Sequence, residues 1–183
     1  MPNADAHPPL VWIDVETTGA DARVLEIAAL VTDAQLELVA EGPALTIHQD
    51  DAEITEITAL AALDERQAKR HADSGLLDDA RASTLSVGDA QRELLEFLTP
   101  LCPPRASPLC GARVLQARQA LVNHMPQLSE FLHYRVIDVS SIRELAGRWY
   151  PALEPPTLTG ARARDNVRAA LAALRSYKVQ VFQ

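Results

Sequence analysis

The order of strand-like and helix-like segments constrains the fold of this chain more than any other feature of its sequence. Apolar, β-branched runs with the composition of strands lie at residues 10–16, 24–32 and 36–47. Asp33-Ala34-Gln35 is predicted to form the hairpin turn between the last two runs. Beyond residue 51, helical spacing alternates with short apolar runs at residues 108–111 and 136–139. This order predicts an α/β fold with a mixed central sheet flanked by helices.

Length and composition favour one soluble domain. The 183 residues are 48% apolar and 23% charged, which is typical of globular chains. Helices are predicted at residues 51–71, 87–98, 114–123, 140–149 and 162–177. No internal repeat or long linker divides these segments. We therefore expect residues 1–183 to form a single domain, with a flexible N-terminus at residues 1–9.

Charge and cysteine usage narrow the possible partners. A net charge of −8 argues against a tight grip on long nucleic acid, which depends on neutralising many phosphates. No apolar stretch reaches membrane-spanning length, and the polar N-terminus lacks the apolar segment of a signal peptide. Cys102 and Cys110 follow no metal-binding spacing, so we interpret them as reduced thiols. The sequence predicts a cytoplasmic protein that binds neither a membrane nor long nucleic acid.

Asp14 and Glu16 are the first candidates for site residues. They lie two residues apart in the first strand-like run, so their side chains project from the same face of a strand. Carboxylates in such an apolar setting are unfavourable unless they are paired or bind a cation, and Mg²⁺ takes oxygen ligands of this kind. The spacing fits equally well with two acids at an exposed strand end that bind nothing.

Short motifs in a fixed order extend the comparison beyond these two acids. They are VWIDVETTG at residues 11–19, LEIA at 25–28 and LVTD at 30–33, then residues 41–43, 47–49, 74–76, 82–84, 110–111, 125–126, 133–135 and 138–140. This series resembles the oligoribonuclease family of the DEDDh 3′–5′ exonuclease superfamily. The resemblance extends from residue 10 to about residue 177. It implies a ribonuclease-H-like exonuclease fold.

The resemblance also implies where catalytic residues should lie. Members of the superfamily hold two divalent ions with four acids and use a histidine as general base. Asp14 and Glu16 match the first two acids. The positions of the third acid, the histidine and the fourth acid are occupied by Ala117, Ala161 and Asn166. Asp165 is a weak alternative ligand, because a shift of one residue turns a helical side chain by roughly 100°.

The positions at which the family grips its substrate are partly replaced. Ala20 stands at the position of a wedge leucine, and Arg66 at that of a base-stacking tryptophan. Ala112-Arg113 replaces an Asn-Ser pair. We interpret Arg113 as a solvated side chain rather than a new phosphate contact. The remaining residues of the family's 5′-phosphate cap are retained as Tyr134, Arg135, Ser140 and Ser141. In the family the tyrosine reaches across a dimer interface, so its retention predicts a homodimer.

These replacements predict a family member whose nuclease activity is lost or repurposed. It would bind a short 5′-phosphorylated oligonucleotide, another small phosphate ester or a partner protein, and would require no cofactor. The alternative is an active 3′–5′ exoribonuclease that degrades di- to tetranucleotides with Mg²⁺ or Mn²⁺ held by Asp14, Glu16 and Asp165. A third interpretation is a different reaction on a small phosphorylated substrate.

Overall fold

A five-stranded sheet forms the centre of the computed structural model, which describes residues 7–18, 23–60, 65–158 and 160–182, without the side chains of residues 56–60 and 65–68. The strands are β1 (Leu10–Thr17), β2 (Val24–Thr32), β3 (Leu38–Thr46), β4 (Pro108–Gly111) and β5 (His133–Asp138). They lie in the order β3-β2-β1-β4-β5. The β1–β2 and β2–β3 pairs are antiparallel, whereas the β1–β4 and β4–β5 pairs are parallel. The predicted mixed sheet is confirmed.

Helices cover both faces of this sheet. They are α1 (Asp51–Leu60), α2 (Glu65–Asp73), α3 (Leu76–Ala82), α4 (Val87–Leu98), α5 (Val114–His124), α6 (Pro126–Phe131), α7 (Val139–Trp149) and α8 (Ala163–Gln180). Apolar residues of α4, α5 and α6 pack together with one face of β1, and those of α7 and α8 pack with the other face. The α/β class predicted from the sequence is therefore confirmed.

Strand β1 separates the two layers of the core by its alternating side chains. Val11, Ile13 and Val15 pack in the layer that contains α4 and α5. Trp12 packs in the opposite layer, where Tyr177 of α8 is also buried. Because side chains alternate along a strand, the residues at positions 14 and 16 face the α8 side together with Trp12. The sheet thus directs both acids toward one helix.

The hairpin between β2 and β3 differs slightly from its prediction. Its turn is closed by Asp33, whose Oδ1 accepts hydrogen bonds from the backbone N–H groups of Gln35 and Glu37, each at 2.8 Å. Leu36 adopts a left-handed conformation with φ of 73°, so β3 begins at Leu38 rather than at residue 36. A side chain that closes the turn locally has displaced the start of the strand.

The helical segments also differ in their boundaries. The predicted helix at residues 51–71 is divided into α1 and α2, and residues 61–64 lie outside the described residues. Helices α3 and α6 were not predicted, because each is shorter than the period-based window that detects helices. None of the described helices is both long and apolar enough to cross a membrane.

Candidate active site

Asp14 and Glu16 lie side by side at the end of β1, and both are almost completely buried. Asp14 is 5% exposed and Glu16 is 0% exposed. They pair in the sheet with Ala28 and Glu26 of β2, so their backbone is part of the central sheet. Two buried carboxylates on one strand face are unfavourable without partners or a cation. What surrounds their oxygen atoms therefore decides what this site can do.

Arg113 contacts both carboxylates at once. Its Nη2 donates to Oδ1 and Oδ2 of Asp14 at 3.2 and 3.1 Å, and to Oε1 of Glu16 at 3.1 Å. The residue lies between β4 and α5, and the parallel pairing of β4 with β1 brings this junction to the same end of the sheet. The prediction that Arg113 is a solvated side chain is therefore wrong. The amino-acid sequence alone does not reveal this pairing across almost 100 residues.

Asn166 in the first turns of α8 completes the contacts on the inner side of the acids. Its Nδ2 donates to Asp14 Oδ2 at 2.8 Å and to Glu16 Oε1 at 2.6 Å. Its Oδ1 accepts from the N–H of Gly160 at 2.6 Å, so the amide is used at both ends. The helical register thus directs position 166, and not position 165, toward the acids.

Arg70 of α2 occupies the last oxygen of the pair. Its Nη2 lies 2.5 Å from Oε2 of Glu16. With this contact, every carboxylate oxygen of Asp14 and Glu16 accepts a hydrogen bond from Arg70, Arg113 or Asn166. We call these five residues the acid cluster. The sequence analysis found its two acids and Asn166 but missed Arg70.

Both burial and ion pairing shift the pKa values of residues in the acid cluster. Burial raises the pKa of Asp14 above its ordinary value, even though Arg113 and the Asn166 amide favour the charged form. Burial acts against the charged form of Arg113, but the nearby Asp14 and Glu16 outweigh it and raise the pKa of the guanidinium. The arginine is therefore a permanent cation between two carboxylates.

The residues present do not fit a pair of divalent cations. Ala117, at the third acid position, is buried in the core layer with α4 and offers no oxygen. Asp165 is exposed, and Asp14 and Glu16 make no described contact with it. Ala161 is exposed and carries no base. Within the described ranges, no three His, Cys, Asp or Glu side chains gather as a metal site would require.

The candidate phosphate contacts lie on β5 and α7, in two separate settings. Tyr134 is 77% exposed, and the guanidinium of Arg135 lies 5.7 Å from the centre of its ring. Ser140 N–H donates to Asp138 Oδ1 at 3.0 Å, and Ser141 Oγ donates to Asp138 Oδ2 at 2.8 Å. A carboxylate therefore already occupies the N-terminus of α7, where a phosphate was expected.

The positions of the family's wedge leucine and stacking tryptophan are Ala20 and Arg66. Ala20 and the side chain of Arg66 both lie outside the described residues. The structure also shows a second cluster of ion pairs, around the buried Glu26, that the sequence analysis missed. Arg162 donates to Glu26 at 2.7 Å and to Asp79 at 2.7 Å, and Ala163 N–H donates to Glu26 at 2.8 Å. This cluster anchors the segment before α8 to β2 and α3.

Comparison with known proteins identifies the family. A family model described as an exonuclease, of the RNase T type, matches residues 11–159. The chain is 40% identical over 172 residues to oligoribonuclease of Pseudomonas savastanoi pv. phaseolicola, which covers 92% of this chain and 93% of that protein. It is 42% identical over 188 residues to oligoribonuclease of Marinobacter nauticus, with coverage of 100% and 99%. The chain belongs to the oligoribonuclease family of exonucleases.

Solved structures support the ribonuclease-H-like exonuclease fold of this oligoribonuclease-family chain. Escherichia coli exonuclease I in complex with an oligonucleotide matches with a TM-score of 0.67 at 14% identity, over 95% of this chain and 42% of that one. Exonuclease I from Methylocaldum szegediense matches with a TM-score of 0.63 at 16% identity, over 96% and 41%. This chain therefore spans about two fifths of the exonuclease I chains, and the likeness concerns the fold alone.

Family membership bears on two expectations, the nuclease activity and the need for a divalent metal ion. The names of the relatives support a nuclease function, and they fit the active exoribonuclease better than the loss of activity. Exonucleases of this family use divalent metal ions, which fits the conditional expectation of Mg²⁺ or Mn²⁺. The expectation that no cofactor is required has no support from the relatives. The geometry of the acid cluster bears on the same question independently.

Proposed function

We propose that this oligoribonuclease-family chain binds short 5′-phosphorylated oligonucleotides, or a small phosphate ester, without hydrolysing them at the rate of an enzyme. One observation carries the absence of hydrolysis: each carboxylate oxygen of Asp14 and Glu16 is hydrogen-bonded to Arg70, Arg113 or Asn166. An ion that positions water and the leaving group would have to compete with these donors for the same oxygens. The site keeps the fold of a nuclease and two of its acids, with Ala117 and Asn166 at the positions of the other two.

The missing proton acceptor supports the same conclusion. Ala161, where the family has its histidine, offers no group that could activate a water molecule. Loss of a general base alone lowers a rate by roughly 10²–10⁴. Asn166 cannot replace an acidic ligand here, because its amide donates hydrogen bonds to both carboxylates. Each replacement acts against hydrolysis, and none prevents binding elsewhere on the surface.

Arg135 and Tyr134 provide the support for ligand binding. Arg135 makes no ion pair among the described residues, and its planar guanidinium suits two oxygens of a phosphate. Tyr134 presents an exposed ring beside it. Ser140 and Ser141 are already bound to Asp138, so they contribute less to the proposed contact.

The proposal includes a homodimer that acts in the cytoplasm. Tyr134 lies on β5, which is an edge strand of the sheet, so a second copy can approach it. Cys102 and Cys110 are both free thiols, which fits a reducing compartment.

Calorimetry with dinucleotides tests the binding part of this proposal. The 5′-phosphorylated dinucleotide should bind more tightly than the unphosphorylated one, and Arg135→Ala should remove that difference. Arg148→Ala is the matched control, because Arg148 is an exposed arginine paired with Glu144 on α7. Equal binding of the two dinucleotides would contradict the proposal and leave a partner protein as the remaining ligand.

An active exoribonuclease is the second candidate function. It is favoured by 40–42% identity, over more than nine tenths of the chain, to proteins named oligoribonuclease. Asp14 and Glu16 also retain the orientation that two metal ligands on one strand would need. This function would show turnover of a 5′-phosphorylated dinucleotide on the order of 1 s⁻¹ or faster with Mg²⁺ or Mn²⁺. Such turnover, abolished by Asp14→Ala, would replace our proposal.

A further inference from the structure

We propose that Arg113, together with Arg70 and Asn166, takes the place of divalent cations as the permanent partner of Asp14 and Glu16. The acid cluster then stabilises the fold in the absence of metal, and the native chain has no affinity for metal at this site. This inference deepens the proposed function and rests on its loss of metal-dependent hydrolysis. It concerns the role that the former ligands now have.

The first argument is the charge of the acid cluster. Two carboxylates face two guanidinium groups, and Asn166 is neutral, so the formal charges cancel without any bound ion. A divalent cation would add two positive charges beside Arg113 and Arg70. It would also remove the counter-ions of both arginines while they remain partly buried, with side chains 29% and 27% exposed. Metal binding is therefore opposed by repulsion and by the loss of existing ion pairs.

The second argument is the direction of the hydrogen bonds. Arg113 and Asn166 point N–H groups at the carboxylate oxygens that a cation would need to approach. Asp14 Oδ2 and Glu16 Oε1 each accept from both residues, at distances of 2.6–3.1 Å. The polar hydrogens thus occupy the space between the two acids. A cation that bridged these two oxygens would have to displace both donors.

The third argument is the position of the cluster in the fold. Its members come from β1, from α2, from the β4–α5 junction and from α8, and its hydrogen-bonded pairs are separated by 54 to 152 residues along the chain. Glu16 has no exposed side-chain surface, so loss of a partner would leave a buried charge unpaired. Removing one partner of such a pair is strongly destabilising. The cluster therefore links four elements in the way that a bound metal ion would.

Thermal unfolding of Arg113→Ser, with Mn²⁺ as the only added ion, tests the inference. In EDTA the variant should melt about 10 °C below the native chain, because two buried carboxylates lose their shared cation. Saturating Mn²⁺ should raise its melting temperature by about 5 °C, since the vacated oxygens can now bind the ion. Arg113→Ser/Asn166→Asp, which adds a carboxylate and removes a donor, should show a larger rise.

The native chain and one control variant complete the design. Mn²⁺ should not shift the melting temperature of the native chain, and calorimetry should detect no binding at millimolar Mn²⁺. Arg118→Ser is the control, because Arg118 is a partly buried arginine whose side chain, among the described residues, donates to the carbonyls of Ser129 and His133 and to no carboxylate. This variant should lose stability without gaining any response to Mn²⁺.

Three results would overturn the inference. They are Mn²⁺ binding by the native chain, an Arg113→Ser variant as stable as the native chain, and an Arg113→Ser variant that does not respond to Mn²⁺. If the variant does not fold, calorimetry on the native chain still decides between the alternatives. Metal binding without nucleotide turnover would overturn this inference alone. Loss of discrimination between the dinucleotides would overturn the proposed ligand and leave the inference intact.

Discussion

At the scale of single residues, the side chains at positions 166 and 113 determine which contacts Asp14 and Glu16 make. Asn166 differs from aspartate by an amide nitrogen in place of one oxygen, and that nitrogen donates to the two carboxylates. Arg113 contributes the positive charge. The two replacements depend on each other, because an uncompensated carboxylate pair would be unfavourable at this degree of burial.

His71 should make stability depend on pH at the edge of the acid cluster. Burial lowers the pKa of His71 below its ordinary value, and Arg70 and Arg113 lower it further, against the opposing effects of Thr17 O and Glu26. Below about pH 6.5, His71 therefore binds a proton in the unfolded chain but stays neutral in the folded chain. The free energy of unfolding consequently falls as the pH falls. The loss should appear between pH 7 and pH 5, as the unfolded chain takes up this proton.

Urea unfolding of native and His71→Gln chains at the two pH values measures this loss. The variant should lack the part of the pH dependence that His71 contributes. If both chains show the same change between pH 7 and pH 5, His71 does not remain neutral in the folded protein.

Arg162 should contribute more to stability than other arginines of the same helix region. Glu26 is 4% exposed, and Arg162→Ala would leave its carboxylate without its main counter-ion. We expect a loss of about 3 kcal/mol of unfolding free energy. Arg168→Ala is the matched control, because its pair with Glu41 is largely exposed and contributes about 0–1 kcal/mol. Equal losses in the two variants would show that Glu26 is stabilised by other contacts.

At the level of elements, the segment before α8 determines where Asn166 points. Gly160 donates its N–H to Asn166 Oδ1, and Arg162 is held by Glu26 and Asp79. The resemblance to the family implies a histidine in this segment, at the position of Ala161. The contacts of the segment make it a structural support for the start of α8.

Gly160→Ala should disturb this support. An added Cβ would lie 2.3 Å from Cβ of Asp165 and 3.2 Å from its carbonyl carbon, so the start of α8 would have to move. We expect a loss of about 1–3 kcal/mol of unfolding free energy. Gly147→Ala in α7 is the control: its Cβ would meet nothing within 4 Å, and helix propensity should give a gain of about 0.5–1 kcal/mol. A neutral Gly160→Ala variant would show that the contact is easily relieved.

The sequence predicted the elements well and the acid cluster incompletely, for a physical reason. Periodicity in β1, β2 and α8 depends on neighbouring residues, so these elements could be located from local patterns. The Arg70–Glu16 and Arg113–Asp14 contacts join residues 54 and 99 positions apart, and only the folded sheet brings them together. Arg113 was misjudged because an isolated arginine in a sequence is usually a solvated one.

At the scale of the whole molecule, the two edge strands of the sheet are candidates for contact with a second copy of the chain. β3 forms one edge and β5 the other, with Tyr134 exposed on β5. The expected homodimer uses the β5 edge, where the proposed phosphate contact also lies. A dimer would therefore bring two such contacts close to the same interface.

Sedimentation measures this assembly directly. At micromolar concentration the chain should sediment at about twice its monomer mass of 19.9 kDa. Tyr134→Ala should shift the population toward monomer, since it removes an exposed aromatic contact of the proposed interface. Leu38→Ala is the control, because Leu38 is also exposed but lies on the opposite edge strand; this variant should leave the mass unchanged. A native chain that sediments as a monomer would show that Tyr134 is retained for another reason.

The central claim is that internal donors, and not metal ions, hold Asp14 and Glu16. A crystal structure of the native chain soaked in Mn²⁺, with anomalous scattering recorded for manganese, tests it most directly. We predict no anomalous peak between the two carboxylates, with Arg113 Nη2 and Asn166 Nδ2 still in hydrogen-bond contact with both. A peak at about 2.2 Å from an oxygen of Asp14 or Glu16, with Arg113 turned away, would contradict the claim.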